Sequence, residues 1–173
     1  MKTTTMLILI CLGSPAIAAN LSGQEQQQIM THVQQLQDAA NAGQYAVAIN
    51  LMPDQFYTLN KIPKATLLTV AQKVAKKLKN VGMKITGQYQ KPKVAYQCKL
   101  SKIAFVRGKI HVETQGRKFF TTGFILASRN QNQNEWRFLD GSNPSTRRRA
   151  FYDSMFGCQG IKIDIPPYSM KQL

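Results

Sequence analysis

Acidic residues are scarce in this sequence of 173 residues, which has 8 Asp and Glu against 23 Lys and Arg. The formal net charge is therefore +15 at pH 7. This surplus excludes an acidic, highly solvated chain and indicates an affinity for anions without saying which anion. Histidine and tryptophan are also rare, with 2 and 1 residues. Because 43% of the residues are apolar, the chain can still bury the core of one compact domain.

Long hydrophobic runs are missing as well. The longest consists of the seven residues from Met6 to Leu12, whereas a helix that spans a bilayer needs about 20. The run follows Lys2 and precedes a Gly-Ser-Pro break and the small-x-small site Ala16-Ile17-Ala18-Ala19. This order is typical of a secretory signal peptide. We expect no membrane span, and an uncleaved anchor or a lipid-attachment site within the run fits the pattern less well.

The predicted organisation is a signal peptide over residues 1–19, cleaved after Ala18 or Ala19, and a single domain over residues 20–173. The expected location is therefore the periplasm or the outside of the cell. Removal of Lys2 takes one positive charge from the +15 of the full chain, which leaves +14 on the mature protein.

Cysteine is infrequent too, with 3 residues, of which Cys11 belongs to the predicted signal peptide. In an oxidising compartment the remaining pair, Cys98 and Cys158, is expected to form a disulfide. Closing this loop of about 60 residues is worth about 4 kcal/mol in the chain-entropy model. The alternatives are two buried thiols or a metal site, but neither cysteine has a partner at zinc-ligand spacing, and His32 and His111 lie far away in the sequence.

Helical signals dominate the first half of the mature chain. Ser22 and Glu25 have the spacing of a capping box, which predicts a helix that begins at Gly23. Apolar residues then recur every three or four positions. Prolines mark the end of the second helix and the beginning of the third. The three predicted helices span residues 23–41, 44–52 and 63–82.

After Gly82 the apolar period changes to two, which predicts β-strands. The predicted strands cover residues 85–89, 94–100, 103–105, 110–114, 119–128 and 135–139, with a last alternating piece at 161–165. Ser145 is expected to cap a short helix that ends near Met155. The order predicts the α+β class, with three N-terminal helices packed on one face of an antiparallel sheet of about four to six strands and a short C-terminal helix.

Four segments together resemble secreted bacterial proteins of the nuclear transport factor 2-like superfamily. They are Leu51-Met52-Pro53-Asp54-Gln55-Phe56-Tyr57, Gly82-Met83-Lys84-Ile85, Glu135-Trp136-Arg137-Phe138-Leu139-Asp140-Gly141, and the tail from Ser154-Met155-Phe156 to Ile163-Asp164-Ile165-Pro166. The resemblance implies a cone, in which a strongly bent sheet wraps long helices around a cavity. Homodimers are common in that superfamily, so the resemblance also implies that this chain can form a homodimer. Members include isomerases, dehydratases, cyclases and non-catalytic binding proteins, so the fold alone does not define a chemistry.

Aromatic residues at strand spacing are typical of a core, and they would line the cavity of a cone if one is left open. These candidates are Tyr89, Tyr96, Phe119, Phe124 and Trp136.

Catalytic signals are weak. His111 and Glu113 lie two apart on a predicted strand and share a face, as an acid–base pair would, but a polar outer face explains them better. Asp38, beside the apolar edge of the first helix, is a still weaker candidate for a base. The sequence contains no phosphate-binding loop, nucleophile elbow or metal-ligand spacing, so we expect no catalytic residue, metal or cofactor.

Basic clusters are the clearest binding signal. Arg147, Arg148 and Arg149 fan out around a short helix, so at least one should have a partner, for which Asp153 at i+4 of Arg149 is the candidate. The others would form an anion-binding surface with three lysines of the third helix and Arg137. The lysines are Lys73, Lys76 and Lys77, and the alternative for all of them is a solvated face.

Two functions follow from these patterns. The first is a secreted, non-catalytic binding protein whose basic surface contacts an acidic protein or an anionic envelope component, for example as an immunity or accessory factor. Nucleic acid would be the default partner of such charge in a cytosol, and the export signal disfavours it. The second is an enzyme or carrier that holds a small molecule in the cone cavity. The direction of His111 distinguishes them.

Overall fold

The computed structural model describes residues 18–80 and 82–172, so residues 1–17 of the predicted signal peptide lie outside it. The helices are α1 (Gly23–Asn41), α2 (Tyr45–Asn50), α3 (Asp54–Asn60), α4 (Lys64–Asn80) and α5 (Arg149–Phe156), with a 3-10 helix at Pro144–Arg147. The strands are β1 (Ala19–Asn20), β2 (Lys84–Tyr89), β3 (Val94–Gln97), β4 (Ser101–Thr114), β5 (Arg117–Asn130), β6 (Arg137–Asp140) and β7 (Ser169–Gln172). The predicted α+β class is confirmed. None of the helices described is long and apolar enough to cross a membrane.

The N-terminal helices begin where local signals place them, but there are four in the described chain rather than three. The capping box of α1 is present, since Ser22 Oγ accepts from the Glu25 amide at 3.2 Å and Glu25 Oε2 accepts from the Ser22 amide at 2.9 Å. The additional helix, α3, starts directly after Pro53. Proline is tolerated at the start of a helix, and the carboxylate of Asp54 in the first turn favours the positive end of the helix dipole.

The sheet is built on β4 and β5, which pair over fourteen positions from Ser101↔Asn130 to Thr114↔Arg117. The prediction of separate strands at 103–105 and 110–114 is wrong, because the ladder continues between them. On the edge of β4 that faces away from β5, β3 pairs with one end and β2 pairs with the other end. On the opposite edge of the hairpin, β6 and β7 pair with the two ends of β5 in the same way. Short strands at the edges, β1 and β7, bring the described total to seven rather than four to six.

The alternating residues 161–165 are not a strand. Residues 161–168, which we call the strap, run from α5 to β7 without joining the sheet. Tyr96 Oη accepts a hydrogen bond from the Asp164 amide at 3.2 Å, which fixes the middle of the strap to one face of the sheet. The C-terminal helix also differs from its prediction, because the segment is divided in two. Asn143 caps the 3-10 helix by accepting from the Ser145 amide at 2.9 Å, and α5 begins only at Arg149, without a side-chain cap.

Successive residues of β4 point to opposite faces, and each face covers its own core. Ala104 and Val106 belong to the helical face, which packs against Ile29 and Val33 of α1. Ile103 belongs to the outer face, which packs against Tyr152 and Phe156 of α5. The core of the outer face lies at the end of the sheet where β3 and β6 pair, which leaves the other end of that face uncovered by α5.

An ionic cluster joins the start of α1 to the sheet. Glu25 Oε1 lies 2.8 Å from Lys102 Nζ and 2.7 Å from an Arg129 nitrogen. The guanidinium of Arg129 also lies 5.0 Å above the centre of the Trp136 ring. Burial acts to raise the pKa of Glu25, but hydrogen bonds from Lys102 and the Ser22 amide and the charges of both cations outweigh it and lower the pKa to about 2.

A disulfide between Cys98 and Cys158 joins the end of β3 to the residue that follows the α5 cap, as predicted. Both cysteines are fully buried within the core of the outer face. The bond closes a loop with a sequence separation of 60, so it restricts the unfolded chain strongly.

Protonation of Glu25 should destabilise the protein in acid. Its pKa is lowered from 4.5 to about 2 in the fold, so the stabilisation is complete above about pH 4.5 and is lost as the pH falls toward 2. We expect Glu25→Gln to lower the free energy of unfolding at pH 7 by about 2–3 kcal/mol and to flatten its pH dependence between pH 5 and 2, measured by urea denaturation. Glu135→Gln is the control, because the Glu135 side chain is 75% exposed. An equal loss in both variants would contradict the role of the cluster.

Reduction of the disulfide should cost about 4 kcal/mol of unfolding free energy. We expect dithiothreitol to shift the urea midpoint of the native chain downward and to leave that of the variant Cys98→Ala plus Cys158→Ala unchanged. An unshifted midpoint for the native chain under reducing conditions would rule out this contribution.

Candidate anion-binding face

The uncovered part of the outer face carries polar side chains in rows across four strands. Residues directly opposite each other in a ladder share a face, so the register defines the rows. Moving away from the core, the rows are Gln88–Lys109–Thr122–Ser169, then Thr86–His111–Phe120–Lys171, then Lys84–Glu113–Lys118. The hydroxyls of Thr122 and Ser169 lie 2.7 Å apart, which confirms that both point to this side.

Cations dominate these rows, and Glu113 is the acidic residue within them. The four lysines of the rows are exposed, and so is Arg107, which precedes Lys109 on the same face of β4. We call this set the basic face: Lys84, Arg107, Lys109, Lys118 and Lys171. Neighbouring strands lie about 4.8 Å apart and residues rise about 3.3 Å along each strand, so the Cα atoms of this set are spaced about 7–20 Å from one another. This spacing suits several anionic groups at once.

The strap turns one side of the basic face into a groove. A cavity of about 360 Å³ lies between Lys109 and Thr122 on the sheet and Pro166 and Pro167 on the strap. A second cavity, of about 200 Å³, lies between Lys93 and Asp164. Arg107 and Gln90 line both, so the two cavities are parts of one groove.

An exposed ion pair crosses this groove. Arg107 Nη2 lies 3.1 Å from Asp164 Oδ2, with side chains that are 52% and 79% exposed. Ion pairs this exposed contribute less than about 1 kcal/mol. A ligand anion can therefore displace Asp164 from Arg107 at little cost.

Of the residues proposed for acid–base chemistry, His111 and Glu113 lie in the polar rows of the outer face, and Asp38 lies apart from them on α1. His111 is exposed, and its ring packs 5.1 Å from that of Phe120. Glu113, also exposed, lies opposite Lys84 on one side and Lys118 on the other. Asp38 is exposed on α1 and accepts from Gln34 Nε2 at 2.9 Å. This placement matches the polar outer face that the alternation predicted, because the neighbours Ile110 and Val112 point to the helical face.

Of the three consecutive arginines, Arg149 is committed to internal contacts. It pairs with Asp153 at 2.9 Å, as predicted, and donates to the carbonyl oxygens of Cys158 and Ile161. Arg147 stacks over the ring of Tyr168 at the end of the strap, 4.6 Å from its centre. Arg148 is exposed. These residues therefore fix the two ends of the strap more than they form one surface.

The remaining predicted binding residues are divided between two places. Lys73, Lys76 and Lys77 are exposed on α4, which packs against α2. Arg137 donates to the Asn50 carbonyl at 3.1 Å and pairs with Glu135 at 2.7 Å. Arg137 thus holds β6 to the end of α2.

The five candidate cavity aromatics are divided between the two faces of the sheet. Tyr96 and Phe124 are buried in the core of the outer face, and Trp136 is buried in the core of the helical face. The ring of Tyr89 packs on the helical face over Gly87 and Gly108, and burial, reinforced by the charge of Asp140, raises its pKa. Phe119 is half-buried on the helical face.

Sequence reasoning missed all five members of the basic face, because they come from four strands. Lys84 lies between Met83 and Ile85, and Lys109 lies between Gly108 and Ile110, so the polar half of this alternation is the signal that was available. Only the register brings them together. In the described ranges, no group of three or more His, Cys, Asp or Glu residues could hold a metal ion.

The contacts of Arg149 predict a structural role for it. We expect Arg149→Gln to lower the free energy of unfolding by about 1–3 kcal/mol, because two carbonyl oxygens and a carboxylate lose a charged donor. Arg148→Gln is the matched control and should change it by less than about 0.5 kcal/mol. Urea denaturation measures both, and equal stability of the two variants would refute the assignment.

The chain was compared with protein-family models, curated proteins and solved structures, and none of them matches it.

Proposed function

We propose that this protein is an exported, non-catalytic binding protein that contacts an acidic partner through its basic face. The observation that carries the proposal is the open end of the sheet, where exposed lysines from four strands lie in adjacent rows with one carboxylate among them. The fold leaves the side chains of these lysines exposed to solvent, so their charges are available to a ligand. A partner that carries several negative charges would satisfy them together.

Export supports an envelope partner rather than nucleic acid. The signal-peptide pattern of residues 1–19 and the buried Cys98–Cys158 disulfide are both typical of an oxidising compartment. We therefore place the protein in the periplasm or outside the cell. Its partner there is an acidic protein or an anionic envelope component, and an immunity or accessory factor is one role of this kind.

We also propose kinship with the nuclear transport factor 2-like superfamily. The resemblance of the four sequence segments supports it, as does an antiparallel sheet with α1 packed on one face. Non-catalytic binding proteins are common among the members of that superfamily. The kinship would therefore agree with a function that depends on surface contacts.

The test compares two variants with equal loss of charge. One replaces Lys84, Lys118 and Lys171 with Gln on the basic face, and the other replaces Lys73, Lys76 and Lys77 with Gln on α4. Fluorescence anisotropy of the labelled protein, titrated with poly-glutamate and with lipopolysaccharide at 50 and 300 mM NaCl, measures the affinity. We expect the first variant to lose about tenfold or more at low salt and the second to lose about twofold.

Salt should weaken binding of the native chain, because exposed charges are screened. Equal losses in the two variants would show that net charge rather than the basic face determines binding. Absence of salt-sensitive binding to either polyanion would refute the proposed function. Thermal unfolding of each variant verifies that the fold is retained.

A further inference from the structure

We propose that the groove beneath the strap binds an anionic sugar unit, that is, a saccharide ring that carries a phosphate or carboxylate group. This inference rests on the proposed function and names the chemistry of its ligand. The larger cavity, of about 360 Å³, lies within the range of small-molecule sites and suits one or two sugar rings. A concave site of this size favours a small unit over the flat surface of a folded protein.

Cations supply the charge recognition. Arg107 and Lys109 are two residues apart on one face of β4, so their Cα atoms are about 6.6 Å apart and their side chains reach the same cavity. The guanidinium of Arg107 offers a planar pair of donors that fits either carboxylate or phosphate. Asp164 pairs with one nitrogen of this guanidinium, Nη2, from an exposed position on the strap, where a ligand anion can replace it.

Neutral groups in the same cavity point to a sugar rather than to an anion alone. Gln88 and Gln90 line it with amide groups, each of which can donate and accept hydrogen bonds as sugar hydroxyls require. Thr122 adds a hydroxyl, held 2.7 Å from that of Ser169. An inorganic anion mainly accepts hydrogen bonds, so it would make little use of the acceptor oxygens of these side chains.

The strap provides the apolar wall. Pro166 is buried and Pro167 is exposed, and both line the cavity opposite the sheet. Rigid proline rings present C–H surfaces against which the apolar face of a sugar ring can pack. An acidic peptide segment would satisfy the cations but would leave the amides and this wall without a specific role.

The wall is held at both ends. Arg149 donates to the carbonyl oxygens of Cys158 and Ile161 beside the disulfide, and Arg147 stacks on Tyr168 just before β7. The groove is therefore formed in the free protein, which lowers the entropic cost of binding a small ligand.

Isothermal titration calorimetry on the chain with its disulfide formed tests the proposal. The probes are glucose 6-phosphate and glucuronate, with inorganic phosphate and glucose as the single-feature controls. We expect one or both of the anionic sugars to bind saturably and at least tenfold more tightly than phosphate or glucose. The stronger of the two identifies the anionic group that the groove prefers.

Variants of exposed residues locate the binding. Arg107→Gln and Lys109→Gln should each lower the affinity for the preferred sugar at least fivefold, and Asp164→Asn should raise that affinity. Gln88→Leu should lower the affinity for the sugar and leave the affinity for phosphate unchanged. Lys77→Gln removes the same charge from the exposed side of α4, outside both the groove and the basic face, and should change the affinity less than twofold.

Three results would overturn the inference. They are phosphate binding as tight as that of the anionic sugars, an equal loss in Lys77→Gln and Lys109→Gln, and an absence of saturable binding by either sugar. If the same preparation still binds poly-glutamate or lipopolysaccharide in a salt-sensitive way, only the sugar groove is refuted and the proposed function stands.

Discussion

The length of the central hairpin determines how the rest of the molecule is arranged. β4 and β5 pair over fourteen positions, whereas the strands beside them contain between four and six residues. Each long strand must therefore take two partners along its outer edge, one at each end. The single C-terminal helix covers the outer face at one end only. The open, polar end of that face is thus a geometric consequence of two strands that are longer than the elements available to cover them.

Charge has two distinct uses in this protein. Glu25, Lys102 and Arg129 form a cluster of partly buried side chains that fixes α1 to the sheet. Arg149 and Asp153 form a second cluster beside the disulfide. Burial and hydrogen bonding make these interactions structural. Within the part of the chain that the structure describes, the lysines of the basic face are exposed and make no side-chain hydrogen bond or ion pair. A positive net charge alone would therefore not have separated these cations from those that stabilise the fold.

Local signals in the sequence predicted the elements that depend on neighbouring residues. Ser22 and Glu25 define the start of α1 because a capping box is complete within four residues. The disulfide was predictable because only two cysteines, Cys98 and Cys158, follow the predicted signal peptide. The alternation at 161–165 was misleading, because an extended segment that packs its isoleucines on a sheet has the same pattern as a strand within it. α3 was missed because a proline that stops one helix can also precede the next.

The candidate site was less predictable because it depends on register. Lys84 and Lys118 are separated by more than thirty residues, and each becomes part of a cluster only when its strand pairs with β4 opposite Glu113. A shift of one residue in either ladder would turn these lysines to the helical face. The run of three arginines was conspicuous in the sequence. Arg149, however, donates to the carbonyl oxygens of Cys158 and Ile161, and these contacts form only when the chain after α5 folds back onto Arg149.

Two lysines of the basic face also lie in the outermost strands, Lys84 in β2 and Lys171 in β7. Outermost strands expose unpaired backbone groups that can recruit a strand from another molecule, and lysine opposes such pairing because it must remain hydrated. The short β1 and β7 limit the available length further. The same side chains that we propose as contacts for a ligand therefore also oppose edge-to-edge association of this sheet with a second molecule.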